Sequence, residues 1–109
     1  MFFPSLSFGD MFAGSAWILY ESDGNKKIVL LEHDGTFTQF NLVMPKGNEG
    51  RVYGDEDETW KSRGNNLVLS FNSGFRIMSL RINASRDKLK GTSISQNGSV
   101  VEIIGKIID

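Results

Sequence analysis

The chain has 109 residues, 39% of them hydrophobic and 23% charged, with twelve basic against thirteen acidic side chains and no cysteine. That apolar content excludes intrinsic disorder, and the length suits one small globular domain over residues 1–109. A net charge of −1 gives no electrostatic reason to expect a nucleic-acid backbone or an anionic membrane as partner, and without cysteine no disulfide or thiolate-metal framework can form.

The chain opens Met1-Phe2-Phe3-Pro4-Ser5-Leu6-Ser7-Phe8, with no basic residue and with its apolar run broken at Pro4, Ser5 and Ser7, so it makes a poor signal peptide. No run reaches the 18 apolar residues of a membrane span. The expected address is the cytoplasm, with secretion after removal of a leader as the alternative. Residues 1–12 carry six large apolar side chains beyond Met1: Phe2, Phe3, Leu6, Phe8, Met11 and Phe12. Burying each is worth roughly 1.5–3 kcal/mol, so the segment is expected to be an ordered lid, with Asp10 or Ser7 capping a short helical turn. It would cover one mouth of the fold or the wall carrying Met78 and Leu80.

Short aromatic and β-branched segments then recur every 8–12 residues, each closed by a Gly or Asn signal. The first strand is expected over 15–22, ended by Asp23-Gly24-Asn25, and the second over 27–32, ended by His33-Asp34-Gly35. A third, over 36–43, should stop at Pro45, which cannot donate to a ladder. The next region is split around Gly54-Asp55-Glu56-Asp57, with 51–53 on one side and 58–62 on the other, and reads as one bulged strand or two. Strands over 67–71, 75–83, 89–95 and 99–108 follow, and Asn97-Gly98 is the clearest hairpin turn. Asn83-Ala84-Ser85 and Asn97-Gly98-Ser99 match the glycosylation triplet but fall where turns are needed.

About eight sequential antiparallel strands leave two unpaired edges unless the sheet closes, so the expected fold is an all-β up-and-down barrel in which the first and last strands pair. A two-sheet sandwich is the alternative. Gly14 and Trp17 opening the first strand, Asp34-Gly35-Thr36-Phe37 opening the third, Thr59-Trp60 followed by Gly64-Asn65, and the Gly98 hairpin together resemble small lipocalin-like proteins of the calycin superfamily. The resemblance runs from Gly14 to Ile108. It implies a meander barrel that binds small apolar molecules inside or uses its outer wall for protein contacts. The chain departs from the lipocalin pattern in placing Gly14 and Trp17 three apart, where lipocalins have Gly-x-Trp, and in being shorter.

The residues prompt no catalysis. The single His33 sits at a turn tip without an evident partner, no metal-ligand set or phosphate-cradling glycine loop occurs, and no cofactor is expected. Asp55-Glu56-Asp57-Glu58 reads as a solvated loop whose charge discourages edge-to-edge association. Arg76 and Arg81 fall on opposite parities of one strand, and Lys61, Arg63, Lys88 and Lys90 lie in or beside turns. They read as scattered charge, and nucleic-acid binding is not expected.

Alternation along the strands is expected to turn Trp17, Leu19, Phe37, Trp60, Leu69 and Ile77 inward, along with Leu67, Phe71, Val101 and Ile103. The leading expectation is a non-enzymatic barrel whose apolar ligand contacts Trp17, Phe37, Trp60 and Leu69, with Tyr53 or Arg81 fixing a polar group at the mouth. The alternative is a filled barrel that acts as a protein-interaction or homo-oligomeric module through its outer wall or N-terminal segment.

Overall fold

The computed structural model describes residues 9–43, 52–53 and 57–108 of the chain. A helical turn, α1 (Gly9–Phe12), precedes β1 (Ala16–Glu21), β2 (Lys26–Leu31), β3 (Phe37–Val43) and a two-residue β4 (Val52–Tyr53). Then come β5 (Thr59–Arg63), β6 (Asn66–Phe71), a 3-10 turn (Asn72–Gly74), β7 (Arg76–Ile82), β8 (Lys88–Ser95) and β9 (Val100–Ile108). The split fourth region is therefore two strands.

All pairings are antiparallel, in the order β4-β3-β2-β1-β9-β8-β7-β6-β5. The expected pairing of first and last strands is present, running from Ala16 opposite Ile108 to Glu21 opposite Ile103. The eight longer strands form one strongly curled sheet, a half-barrel whose edges come within 6 Å. The seam lies in mid-chain. There Thr36 and Thr59 form an isolated bridge, with Phe37 N–H donating to the Glu58 carbonyl at 3.0 Å and Trp60 N–H to the Gly35 carbonyl at 2.9 Å.

Two glycines permit the curl. Gly91 lies between Leu80 and Ile103, and a Cβ there would sit 1.9 Å from the Ser79 carbonyl oxygen. Gly105 lies between Leu19 and Leu89, where a Cβ would approach the Leu19 side chain to 2.9 Å. Without side chains at these points, neighbouring strands close on one another.

Turn chemistry fixes the registers. Asp34 Oδ1 accepts from the Thr36 N–H at 3.0 Å and its hydroxyl at 2.7 Å, while Gly35 takes φ 90°. These Thr36 bonds, the hydroxyl's first, hold the Asp34 carboxyl below its ordinary range. Asn97 Oδ1 likewise accepts from the Ser99 N–H at 2.9 Å and from the Ser95 hydroxyl.

Inward side chains form one apolar cluster that includes Trp17, Leu19, Phe37, Leu67 and Leu69. In β7 the inward set is Met78, Leu80 and Ile82, not Ile77, because the register places Met78 opposite Leu69 and Leu80 opposite Leu67. Ile77 is paired with the outward positions Ser70 and Ile94 and is 37% exposed. Met78 and Leu80 are thus inside and cannot form a wall for the N-terminal segment to cover. Phe12, fully buried at the end of α1, packs on Trp17 with ring centroids 6.5 Å apart. Residues 1–8 of the expected lid lie outside the described residues.

Candidate functional site

The residues expected to contact an apolar ligand are largely used by the fold itself. Trp17, Phe37 and Leu69 are at most 1% exposed and Trp60 is 8% exposed. The Trp17 indole donates to Ser15 Oγ at 2.8 Å, and the Trp60 indole donates to the Glu32 carbonyl at 2.8 Å. Both indole donors are therefore committed to the chain. Arg81 is exposed on the outer face of β7, which removes it from the mouth where a polar anchor was expected. The Tyr53 side chain lies outside the described residues.

The interior is two-toned along the strand direction. Inward positions read Trp17, Leu19, Glu21 along β1, then Lys27, Val29, Leu31 along β2. Strand β3 gives Phe37, Gln39 and Asn41, and β8 ends inward on Ser93 and Ser95. Apolar side chains gather at the α1 end, and polar ones gather at the opposite mouth, beneath the β1–β2 and β8–β9 hairpins. The parity rule that selected Trp17 and Leu19 also carries Glu21, so this polar mouth was readable from the same alternation.

Its centre is the Glu21 carboxylate. Lys27 Nζ lies 2.8 Å from Oε2, Arg76 Nη1 lies 3.9 Å from Oε1, and Asn25 Nδ2 donates to Oε1 at 3.4 Å. Arg76 Nη1 also donates to Ser93 Oγ at 3.3 Å. The Lys27 ammonium stands 5.1 Å from the centroid of the Phe71 ring, whose edge-on partner is Phe37 at 4.8 Å. Two cations thus surround one carboxylate. The Glu21 and Lys27 side chains are 0% and 7% exposed, whereas Arg76 is 26% exposed and so reaches the opening. Asn41, opposite Lys27 across the ladder and 2% exposed, has an Oδ1 without a hydrogen-bond partner among the described residues.

Such a site can hold charge and hydrogen bonds, and excess positive charge in a confined polar recess favours an anion. His33 is exposed in the β2–β3 turn, at the α1 end of the fold. Among the described residues no three His, Cys, Asp or Glu side chains are grouped to hold a metal. The acidic run departs from a uniformly solvated loop at Glu58, which is buried at 7%. Asp57 is exposed and accepts from the Ser73 hydroxyl at 2.6 Å, tying the run to the 3-10 turn.

The fold is similar to that of a solved "putative beta-lactamase" from Burkholderia vietnamiensis, with a TM-score of 0.62 and 12% identity, over 89% of this chain and 93% of that one. At that identity the likeness is one of fold. No protein-family model matches the chain. No curated protein matches it in sequence.

Proposed function

We propose that the chain is a non-enzymatic, lipocalin-like binding protein that takes a small anionic ligand, of carboxylate type, at the polar mouth around Lys27 and Arg76. The carrying observation is the buried Glu21 carboxylate shared by two cations, one of which reaches the opening. Lysine and arginine are kept inside a fold only where charge is compensated, and among the described residues Lys27 and Arg76 share the single carboxylate of Glu21. A ligand carboxylate would supply a second, with Asn41 and Asn25 beside it to orient polar groups. An apolar ligand deeper in the barrel would compete with Trp17, Phe37 and Leu69, which already pack there.

The test is calorimetric titration with small carboxylates and with the corresponding neutral amides, on wild type and Arg76→Gln. Saturable binding of carboxylates that is lost in Arg76→Gln supports the reading. Equal responses to acids and amides, or no heat from any of them, would remove it.

A second reading, assembly through the outer wall, draws on one observation. Ile77, Ile94 and Val100 are registered neighbours across β7, β8 and β9 and are 37%, 49% and 61% exposed. Light scattering on purified protein separates monomer from dimer. The activity named for the Burkholderia protein finds no support in these residues. Serine acylation needs a hydroxyl beside a base. Ser93 is fully buried against Arg76, and the Ser-x-x-Lys spacing of Ser85-Arg86-Asp87-Lys88 falls in an exposed turn.

A further inference from the structure

Cations that are scattered in sequence are collected by the strand register on the outer wall. Arg63 of β5 lies opposite Asn66 of β6, Asn66 opposite Arg81 of β7, and Arg81 opposite Lys90 of β8. Lys90 then faces Ile104 of β9, Ile104 faces Tyr20 of β1, and Tyr20 faces Lys26 of β2. One cross-strand row therefore runs from β5 to β2 with four cations and no acid. A second pair, Lys88 opposite Lys106, lies immediately beside it. Arg63, Arg81, Lys88, Lys90 and Lys106 are all exposed, and none makes an ion pair among the described residues.

Adjacent strands are about 4.8 Å apart, so the row is on the order of 29 Å long, enough for several phosphates of an extended strand. Shallow grooves of about 510 and 330 Å³ meet at Arg81 and Lys90. The row runs around the curled sheet, not along a flat face. A planar membrane would touch only part of it, and a rigid duplex could not follow it. The sheet face has no free ladder groups for a peptide strand to pair with. A flexible polyphosphate chain can follow the curve, and the planar guanidinium groups of Arg63 and Arg81 offer stacking surfaces for bases, while the Lys26 ammonium already stands 5.3 Å from the Tyr20 ring centroid.

We infer that this row is a binding track for the phosphate backbone of single-stranded nucleic acid. It is independent of the mouth around Glu21, which faces the interior.

Fluorescence anisotropy with a labelled 20-nucleotide thymidine oligomer tests this. With about four phosphates neutralised, affinity should fall roughly fifty-fold between 50 and 200 mM salt, from a slope of about −0.7 per phosphate. Arg81→Gln/Lys90→Gln should weaken binding at least tenfold. Gln96→Glu/Ser99→Glu makes the same change in net charge at the exposed β8–β9 turn and should leave binding within about twofold. Circular dichroism confirms that each variant folds. Equal losses in both double variants, or no salt-dependent binding, would overturn the track. So would co-sedimentation with phosphatidylserine vesicles by a protein that ignores the oligomer.

Discussion

The Lys27 ammonium and the Glu21 carboxylate meet at 2.8 Å inside the curled sheet, with side-chain exposures of 7% and 0%. Removing one partner of a buried pair leaves the other uncompensated. For Glu21→Ala two cations are stranded, and unfolding in urea should show a loss of about 3–5 kcal/mol. Lys27→Met keeps the aliphatic stem against Phe71 and leaves Glu21 near Arg76, so its loss should be smaller. Equal midpoints for Glu21→Ala and wild type would show that the pair does not hold the mouth together.

Gly91→Ala should be the most damaging of the small glycine substitutions. The new methyl would meet the backbone carbonyl of Ser79 at 1.9 Å, which can yield only by moving a strand. A loss of at least about 3 kcal/mol is expected. Gly105→Ala meets the movable end of Leu19 at 2.9 Å and should cost about 1–2 kcal/mol. Thermal denaturation of the two variants side by side checks the order.

Phe12 is fully buried at the end of the curled sheet opposite the polar mouth. Phe12→Ala opens a cavity beside Trp17 and should cost about 3–5 kcal/mol by chemical denaturation. Deletion of residues 1–12 should lower the melting temperature or change the subunit count. A truncated chain with unaltered stability and oligomeric state would make the segment dispensable.

The Asp34 carboxyl should titrate below its ordinary value of 3.8, because Thr36 bonds the charged form. A lowered native pKa stabilises the fold above the unfolded pKa, and that contribution is lost as pH falls through the lower native value. Carbon-detected NMR titration of Thr36→Ala should move the Asp34 midpoint upward. An unchanged midpoint would place the cause elsewhere.

Much of the strand pattern was legible because turns announce themselves. Asp23-Gly24 and Asn97-Gly98 bound β1 and β9 to within a residue or two of where the structure ends them. Inward parity was legible where one face of a strand is apolar, as at Trp17 and Leu19. It failed in β7, where Phe75 and Ile77 compete with Met78, Leu80 and Ile82 and only pairing with Leu67 and Leu69 decides. The polar mouth was legible in principle, since Glu21 and Lys27 obey the same alternation as their apolar neighbours. A charged residue near a turn nevertheless reads as solvated until its partner across the sheet is known. The row joining Arg63, Arg81 and Lys90 was not legible at all, because cross-strand neighbours are set by register and lie far apart along the chain.

The position of β9 bears on how the molecule is made. β1 to β4 form one run of the sheet and β5 to β8 another, and β9 joins them by pairing with both β1 and β8. During synthesis from the N-terminus, the joining strand is the last of the nine to leave the ribosome. Until then, among the described residues, the two runs meet backbone to backbone at the seam around Thr36 and Thr59 and through side-chain contacts such as Glu21–Arg76 and Phe37–Phe71, and the ladder edges of β1 and β8 that β9 covers are unpaired. The nascent chain is thus exposed to aggregation longest at Trp17–Leu19 and Leu89, and a chaperone that shields those edges would matter more here than in a fold closed by local hairpins alone.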